Sequence, residues 1–115
     1  MEYVTYDEFK KIDIRIGTIK QVESIEGTDK LLKCQIDFGP DLATGETGLR
    51  QIVSGIREYY PEYETLVGKQ VLYIVNLEPR EIRGHVSHGM LMAVGNDKPI
   101  FLVPETPVDA GSKVR

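Results

Sequence analysis

Residues 12–39 read IDIRIGTIKQVESIEGTDKLLKCQIDFG, and the fold class is decided there. Ile12, Ile14 and Ile16 alternate with Asp13 and Arg15, the period-two pattern of a half-buried strand. Gly17 follows, and beyond it Ile19 and Val22 no longer keep that parity, so a bulge or sharp bend is expected at the glycine. Glu26-Gly27-Thr28-Asp29 is a turn. Leu31 to Phe38 is a second alternating strand, with Cys34 on its apolar side, and Gly39-Pro40 closes it.

The same punctuation continues in both directions. Upstream, Thr5 and Glu8 have the spacing of a capping box, and Phe9 and Ile12 give the short helix an apolar side. Downstream, PDLATGETGL (40–49) reads as a solvated hairpin loop, and Gln51 to Ser54 as a third strand. Tyr59 to Val67 has Pro61 near its start and Gly68 after its end, the asymmetry of a short helix. Val71 to Val75 is the most apolar strand and is expected to be central or buried on both faces. Gly84 and Gly89 bracket a further loop. Met90 to Val94 and Ile100 to Val103 are short strands around the turn Gly95-Asn96-Asp97, and the tail from Pro104 is irregular but packed through Val108 and Val114. Five or six strands with a short helix between the third and fourth fit either an all-β, five-stranded Greek-key barrel of the OB type, a class that binds oligonucleotides on one face, or another small barrel.

With 115 residues there is room for one domain and one ordinary core. Cys34 is the single cysteine, so no intramolecular disulfide and no Cys-rich zinc site can form, and a reducing cytoplasm is the simplest compartment. The longest apolar runs are far too short to span a bilayer, and MEYVTYDEF lacks the charged and apolar regions of a signal peptide. The net charge of −4 argues at first against a polyanionic partner. Its location changes that: Asp37 to Glu64 holds six acids and two bases, which is the whole deficit. This acidic stretch is expected to lie away from any anion-binding face.

Enzymatic chemistry finds little support. His85 and His88 have the spacing for a shared metal on a helix, but the flanking glycines oppose a helix. Ser54 or Ser87 could be set beside a histidine and an aspartate only by chance, since no nucleophile-elbow motif is present. Gly68-Lys69 lacks the glycine spacing of a phosphate loop, and no cofactor motif is present. Binding is the better default. Lys30, Lys33, Arg50, Lys69, Arg80 and Arg83 all fall near strand ends, where they can either aim at one groove or serve as scattered solubility charges. Tyr59, Tyr60 and Tyr63 can stack on bases, but packing is the simpler role.

These segments resemble one family throughout: the tRNA-binding OB-fold domain found free-standing, at the C-terminus of methionyl-tRNA synthetases, and in the endothelial monocyte-activating polypeptide II group. The matching motifs are Phe9-x-x-Ile12-Asp13-Ile14-Arg15-Ile16-Gly17, Asp29-Lys30-Leu31-Leu32, Ile36-Asp37-Phe38-Gly39, Arg50-Gln51-Ile52-Val53-Ser54-Gly55-Ile56, Leu66-x-Gly68-Lys69, Val75-Asn76-Leu77-x-Pro79-Arg80, Gly84-x-x-Ser87-x-Gly89-Met90 and Pro107-x-x-x-Gly111-Ser112-Lys113-Val114. The resemblance implies a cytoplasmic homodimer that binds tRNA by shape. It also implies a role beside methionyl-tRNA synthetase, as an accessory beta subunit with no catalysis or cofactor of its own. The family's functional positions fall on Ser54, Asn76, Ser87 and Met90, with basic partners at Lys30, Lys33, Arg50, Arg80 and Arg83, and residues 100–115 would face the second subunit.

Physical chemistry fits that division of labour. Folded RNA offers phosphates, 2′-hydroxyls and exposed ends rather than a readable deep groove, so Lys and Arg supply attraction while Ser and Asn hydrogen-bond to sugar and phosphate oxygens. The alternative is the export-chaperone branch of the same fold, dimers that bind unfolded polypeptides. That branch departs from the Ser-Gly-Ile and Ser-x-Gly-Met segments, which this chain keeps. The 40–49 connection is longer than usual for the family, and His85 and His88 stand where variable or uncharged polar residues are expected.

Overall fold

The computed structural model describes residues 1–115. Helix α1 (Tyr6–Lys10) starts on the expected capping box, in which Glu8 N donates to Thr5 Oγ1 at 3.1 Å and Thr5 N to Glu8 Oε1 at 3.0 Å. Its apolar side is not buried: Tyr6, Phe9 and Ile12 stay exposed.

Strand β1 (Ile14–Ser24) organises everything else. Ile14 to Thr18 pair antiparallel with β4 (Gln70–Ile74), and Thr18 to Ser24 pair antiparallel with β2 (Leu32–Asp37). One strand shared by two neighbours in this way carries a sheet round into a barrel. The bulge expected at Gly17 lies elsewhere. The β1–β4 register runs unbroken through Gly17, and the slip comes at Lys20, between the pairs Ile19–Ile36 and Gln21–Gln35. Gly17 is instead a close-approach position: a Cβ there would lie 2.6 Å from Phe38 Cε1 and would overlap Ile36.

Strand β3 (Arg50–Ser54) pairs with β2 across the 40–49 connection. The chain then makes two short strands, β5 (Arg80–Ile82) and β6 (His85–Ser87), and returns through β7 (Met90–Leu91), which pairs with β4. The sheet order is β3-β2-β1-β4-β7. His88 N donates to Gln51 O at 2.8 Å, which almost closes the barrel between β3 and the approach to β7. The fold is the expected all-β, OB-type barrel. The expected strand Met90–Val94 is split, β7 being followed after Met92 by β8 (Ala93–Val94), which pairs with β9 (Ile100–Phe101).

Leu32, Ile36, Ile52, Val71 and Tyr73 fill the barrel, with Tyr73 edge-on to Phe38 at 5.3 Å. The helix expected over Tyr59–Val67 is two 3-10 turns, Arg57–Tyr59 and Tyr63–Leu66. Pro61 explains the break, because it lacks an N–H and disfavours helical backbone at Tyr60. Leu66 from the second turn is buried in the core. Tyr60 stacks on Phe101 at 4.9 Å and donates to Pro99 O, so packing occupies it. The tail is held to β1 by backbone bonds, Gly111 N donating to Ile16 O at 2.7 Å and Val114 N to Ile14 O at 2.8 Å. Val114 is half-buried, but Val108, expected to help pack the tail, is exposed. No helix is long and apolar enough to cross a membrane.

Candidate nucleic-acid interface

The segment expected to be a plain loop after β4 is a hairpin. Strands β5 and β6 pair with Arg80 opposite Ser87 and Ile82 opposite His85. Arg83 and Gly84 form its turn at φ of 53° and 81°, the left-handed pair that a two-residue hairpin demands. The hairpin lies on the outer side of β3, where Gln51 Nε2 donates to Val86 O at 2.9 Å.

Ser87 holds it there. The residue is 5% exposed, its Oγ accepts from Val53 N at 3.0 Å and donates to Gly89 O at 3.1 Å. Both bonds go to backbone inside the barrel seam. Gly89 then passes so close that a Cβ would lie 2.9 Å from Ile74 O and 3.1 Å from Ile52 Cδ1. That tight passage delivers Met90 to the surface, 49% exposed. Ser-x-Gly-Met is thus one device: a buried pin, a residue without a side chain and a presented thioether.

Arg50 begins β3 and faces the same side as inward-pointing Ile36 and Ile52. Its Nη1 donates to Val75 O at 2.7 Å, while its buried Nε has no partner. Burial works against the guanidinium's charge, nearby Asp13 favours it, and Arg15 opposes it. Arg15 is itself held by Asp13, with Nε–Oδ1 at 2.9 Å and Nη2–Oδ2 at 3.2 Å. That bond raises the Arg15 pKa despite some burial, and Asp13 and Asp41 add to the effect. Asn76 lies two residues beyond the end of β4, beside this group. Its Oδ1 accepts from Asp13 N at 2.8 Å and its Nδ2 donates to Lys11 O at 2.6 Å, so it ties α1 to the barrel. Arg50, Asp13, Asn76 and His88 share a cleft of about 390 Å³.

The nine expected site residues therefore fall into three groups. Arg50 and Asn76 meet in the cleft. Arg80, Arg83, Ser87 and Met90 belong to the hairpin and its exit, and both arginines are exposed without an ion pair. Lys30, Lys33 and Ser54 lie toward the other end of the β2–β3 pair. Ser54 is opposite Leu32, Lys33 is opposite Val53 and reaches Glu23 at 3.6 Å, and Lys30 is exposed in the β1–β2 turn. The cleft also takes in Asp13, Glu78 and His88, which were not among the expected residues. Arg15, read only as the polar half of an alternation, does not line it but bears on Arg50 as a like charge. The acidic stretch does not stand wholly apart, because Asp41 acts on Arg15 and the 40–49 connection flanks the hairpin through Thr44, Thr47 and Leu49. No group of three His, Cys, Asp or Glu side chains is arranged to hold a metal ion.

Comparison with known proteins adds an independent line. Residues 14–113 match the family described as a putative tRNA binding domain. The chain is 41% identical over 107 residues to a methionine–tRNA ligase of Oceanobacillus iheyensis, covering 93% of this chain and 15% of that protein. It thus spans only a small part of such curated relatives. Among solved structures it is similar to the MetRS-related protein of Pyrococcus horikoshii, with a TM-score of 0.81, 34% identity and 100% of both chains covered. It is also similar to the chaperone CsaA of Bacillus anthracis, with a TM-score of 0.82, 25% identity, and 99% and 100% coverage.

Proposed function

The chain belongs to the putative tRNA binding domain family, and from that premise we propose that it is a non-catalytic tRNA-binding protein that works as a cytoplasmic homodimer. Its partner is tRNA, bound by shape, and it acts in trans with methionyl-tRNA synthetase as an accessory subunit. The observation that carries this reading is the juxtaposition of the Arg50–Asn76 cleft with the Ser87-Gly89-Met90 passage and the two free arginines of the hairpin. Arg80, Arg83, Lys30 and Lys33 contribute charge to phosphates, and Arg50 does so from a partly desolvated position where each contact is stronger. Ser54 and Met90 offer an uncharged hydrogen bond and an apolar contact. Ser87 and Asn76 position the neighbouring backbone. Residues 100–115 form the surface for the second copy, and a two-fold dimer doubles the set of cations that a single acidic chain presents.

A second reading draws on the likeness to CsaA and on the exposed apolar N-terminus, where Tyr3, Val4 and Tyr6 are all open to solvent. It makes the protein a dimeric chaperone for unfolded polypeptides. A mobility shift against bulk tRNA, duplex RNA of equal length and an unfolded polypeptide separates the two. The first reading expects tRNA to be retarded at low salt and the polypeptide to leave that complex intact. Polypeptide binding with no tRNA shift would replace it by the second. Light scattering on a sizing column checks the dimer, and a monomer at micromolar concentration contradicts it.

A further inference from the structure

On the far side of His88 from the Arg50 cleft lies a second recess, of about 300 Å³, between the outer face of β2–β3, the hairpin and the 40–49 connection. Gln35 and Gln51 form its floor. They pair directly across the strands, and Gln35 Nε2 donates to Gln51 Oε1 at 3.0 Å. The threonines on the connection are already engaged: Thr44 Oγ1 donates to Leu49 O, and Thr47 Oγ1 accepts from Leu49 N. The groups left without any partner are Gln35 Oε1 and two imidazoles, His85 and His88, both half-buried and neither in a side-chain hydrogen bond or ion pair.

The chemistry of this recess is specific in what it omits. No lysine, arginine, aspartate or glutamate lines it, so it is suited neither to a bare phosphate nor to a hard cation. It offers flat aromatic faces and neutral donors and acceptors. An uncharged, planar, hydrogen-bonding ring fits that set, and in RNA such a ring is an unpaired base, which proteins stack on aromatic side chains including histidine. His88 also lines the cleft that holds Arg50, so the two spaces share one wall. We propose that the His85–His88 recess takes an unpaired nucleobase of the bound tRNA while the adjoining phosphate lies at the Arg50 cleft. The proposal rests on the tRNA-binding reading and adds to it a base-contacting subsite, supplied by two residues the family resemblance does not account for.

The chain has two histidines, so its imidazole Cε1–H signals in a proton NMR spectrum report this recess alone. The probes are a single-stranded RNA trinucleotide and the same sugar–phosphate chain lacking bases, each at millimolar concentration. Both signals should move with the trinucleotide and stay fixed with the abasic chain. The double variant His85→Ala/His88→Ala should bind tRNA about tenfold more weakly, a typical loss for one stacked base, with an unchanged salt slope because every lysine and arginine is kept. Wild-type protein that shifts tRNA while both signals ignore the trinucleotide overturns the subsite and leaves the tRNA reading standing. Wild-type protein that shifts no tRNA overturns both. Since neither imidazole is hydrogen-bonded, the double variant should melt as wild type does. If it does not fold, the wild-type spectra decide.

Discussion

The two ends of one hairpin treat their polar residues in opposite ways. At its base, Ser87 is buried and its hydroxyl is committed to Val53 N and Gly89 O, with Gly89 pressed against Ile74 O. At its tip, Arg83 stands exposed on a left-handed turn and pairs with nothing. The residues lie in one short motif and would both be named as ligand contacts from sequence. The structure separates them into a side chain that fixes geometry and a side chain free to meet a ligand. Arg50 lies between these extremes, with one nitrogen bound to Val75 O and another buried and unpartnered.

Substitutions can break that contrast. The largest effect is expected where packing is tightest on the committed side. Gly17→Val must displace Phe38 and Ile36 from the core, and should lower unfolding free energy by about 3 kcal/mol in a urea titration. Ser87→Ala leaves the buried Val53 N without an acceptor and should lower stability by about 2 kcal/mol. Its effect on tRNA binding should follow from the disturbed Gly89-Met90 passage. If Ser87→Ala is as stable as wild type, the pin does not carry the seam.

Cys34 sharpens the same distinction inside the core. Burial pushes its thiol up to about 12 from an ordinary value of 9.0. The unfolded chain therefore loses this proton first, and stability should fall as pH climbs from 9.0 toward about 12, with no contribution from this group at lower pH. A thiol reagent at pH 8 should react only as fast as the protein unfolds; immediate reaction of the native protein would contradict the buried placement. The smallest change in stability is expected at the free end. Arg83→Ala should keep the unfolding midpoint, within about 0.5 kcal/mol, yet reduce the salt slope of tRNA binding by about one. A destabilised Arg83→Ala with unaltered RNA binding would erase the contrast.

How much of this was readable in sequence follows from where the information is local. Strand β2 was legible because Leu32, Cys34 and Ile36 alternate with solvent-facing neighbours, and burial in the structure keeps that alternation. The N-terminal capping box was legible because its two bonds span only three residues. Gly17 was misread because its requirement comes from Phe38 and Ile36, residues brought over by another strand. The β5–β6 hairpin was missed because its strands are too short to show a period, and its turn uses Arg-Gly where Asn-Gly would have signalled it. Ser87 and Asn76 could be flagged as special from the family motifs. That their polar atoms serve the chain's own backbone was visible only once Val53, Lys11 and Asp13 were placed around them.

The central claim is that a set of five cations binds tRNA phosphates although the chain as a whole is acidic. The most direct measurement is the affinity for tRNA across a salt series, read by fluorescence anisotropy. Five cations are proposed to act on each subunit: Lys30, Lys33, Arg50, Arg80 and Arg83. If all engage phosphates, log K should fall linearly with log salt at a slope of roughly −4 per subunit, close to one unit per phosphate neutralised. Removing Arg80 and Arg83 together should flatten that line by about two units. A flat line, or no binding at the lowest salt, would contradict the account.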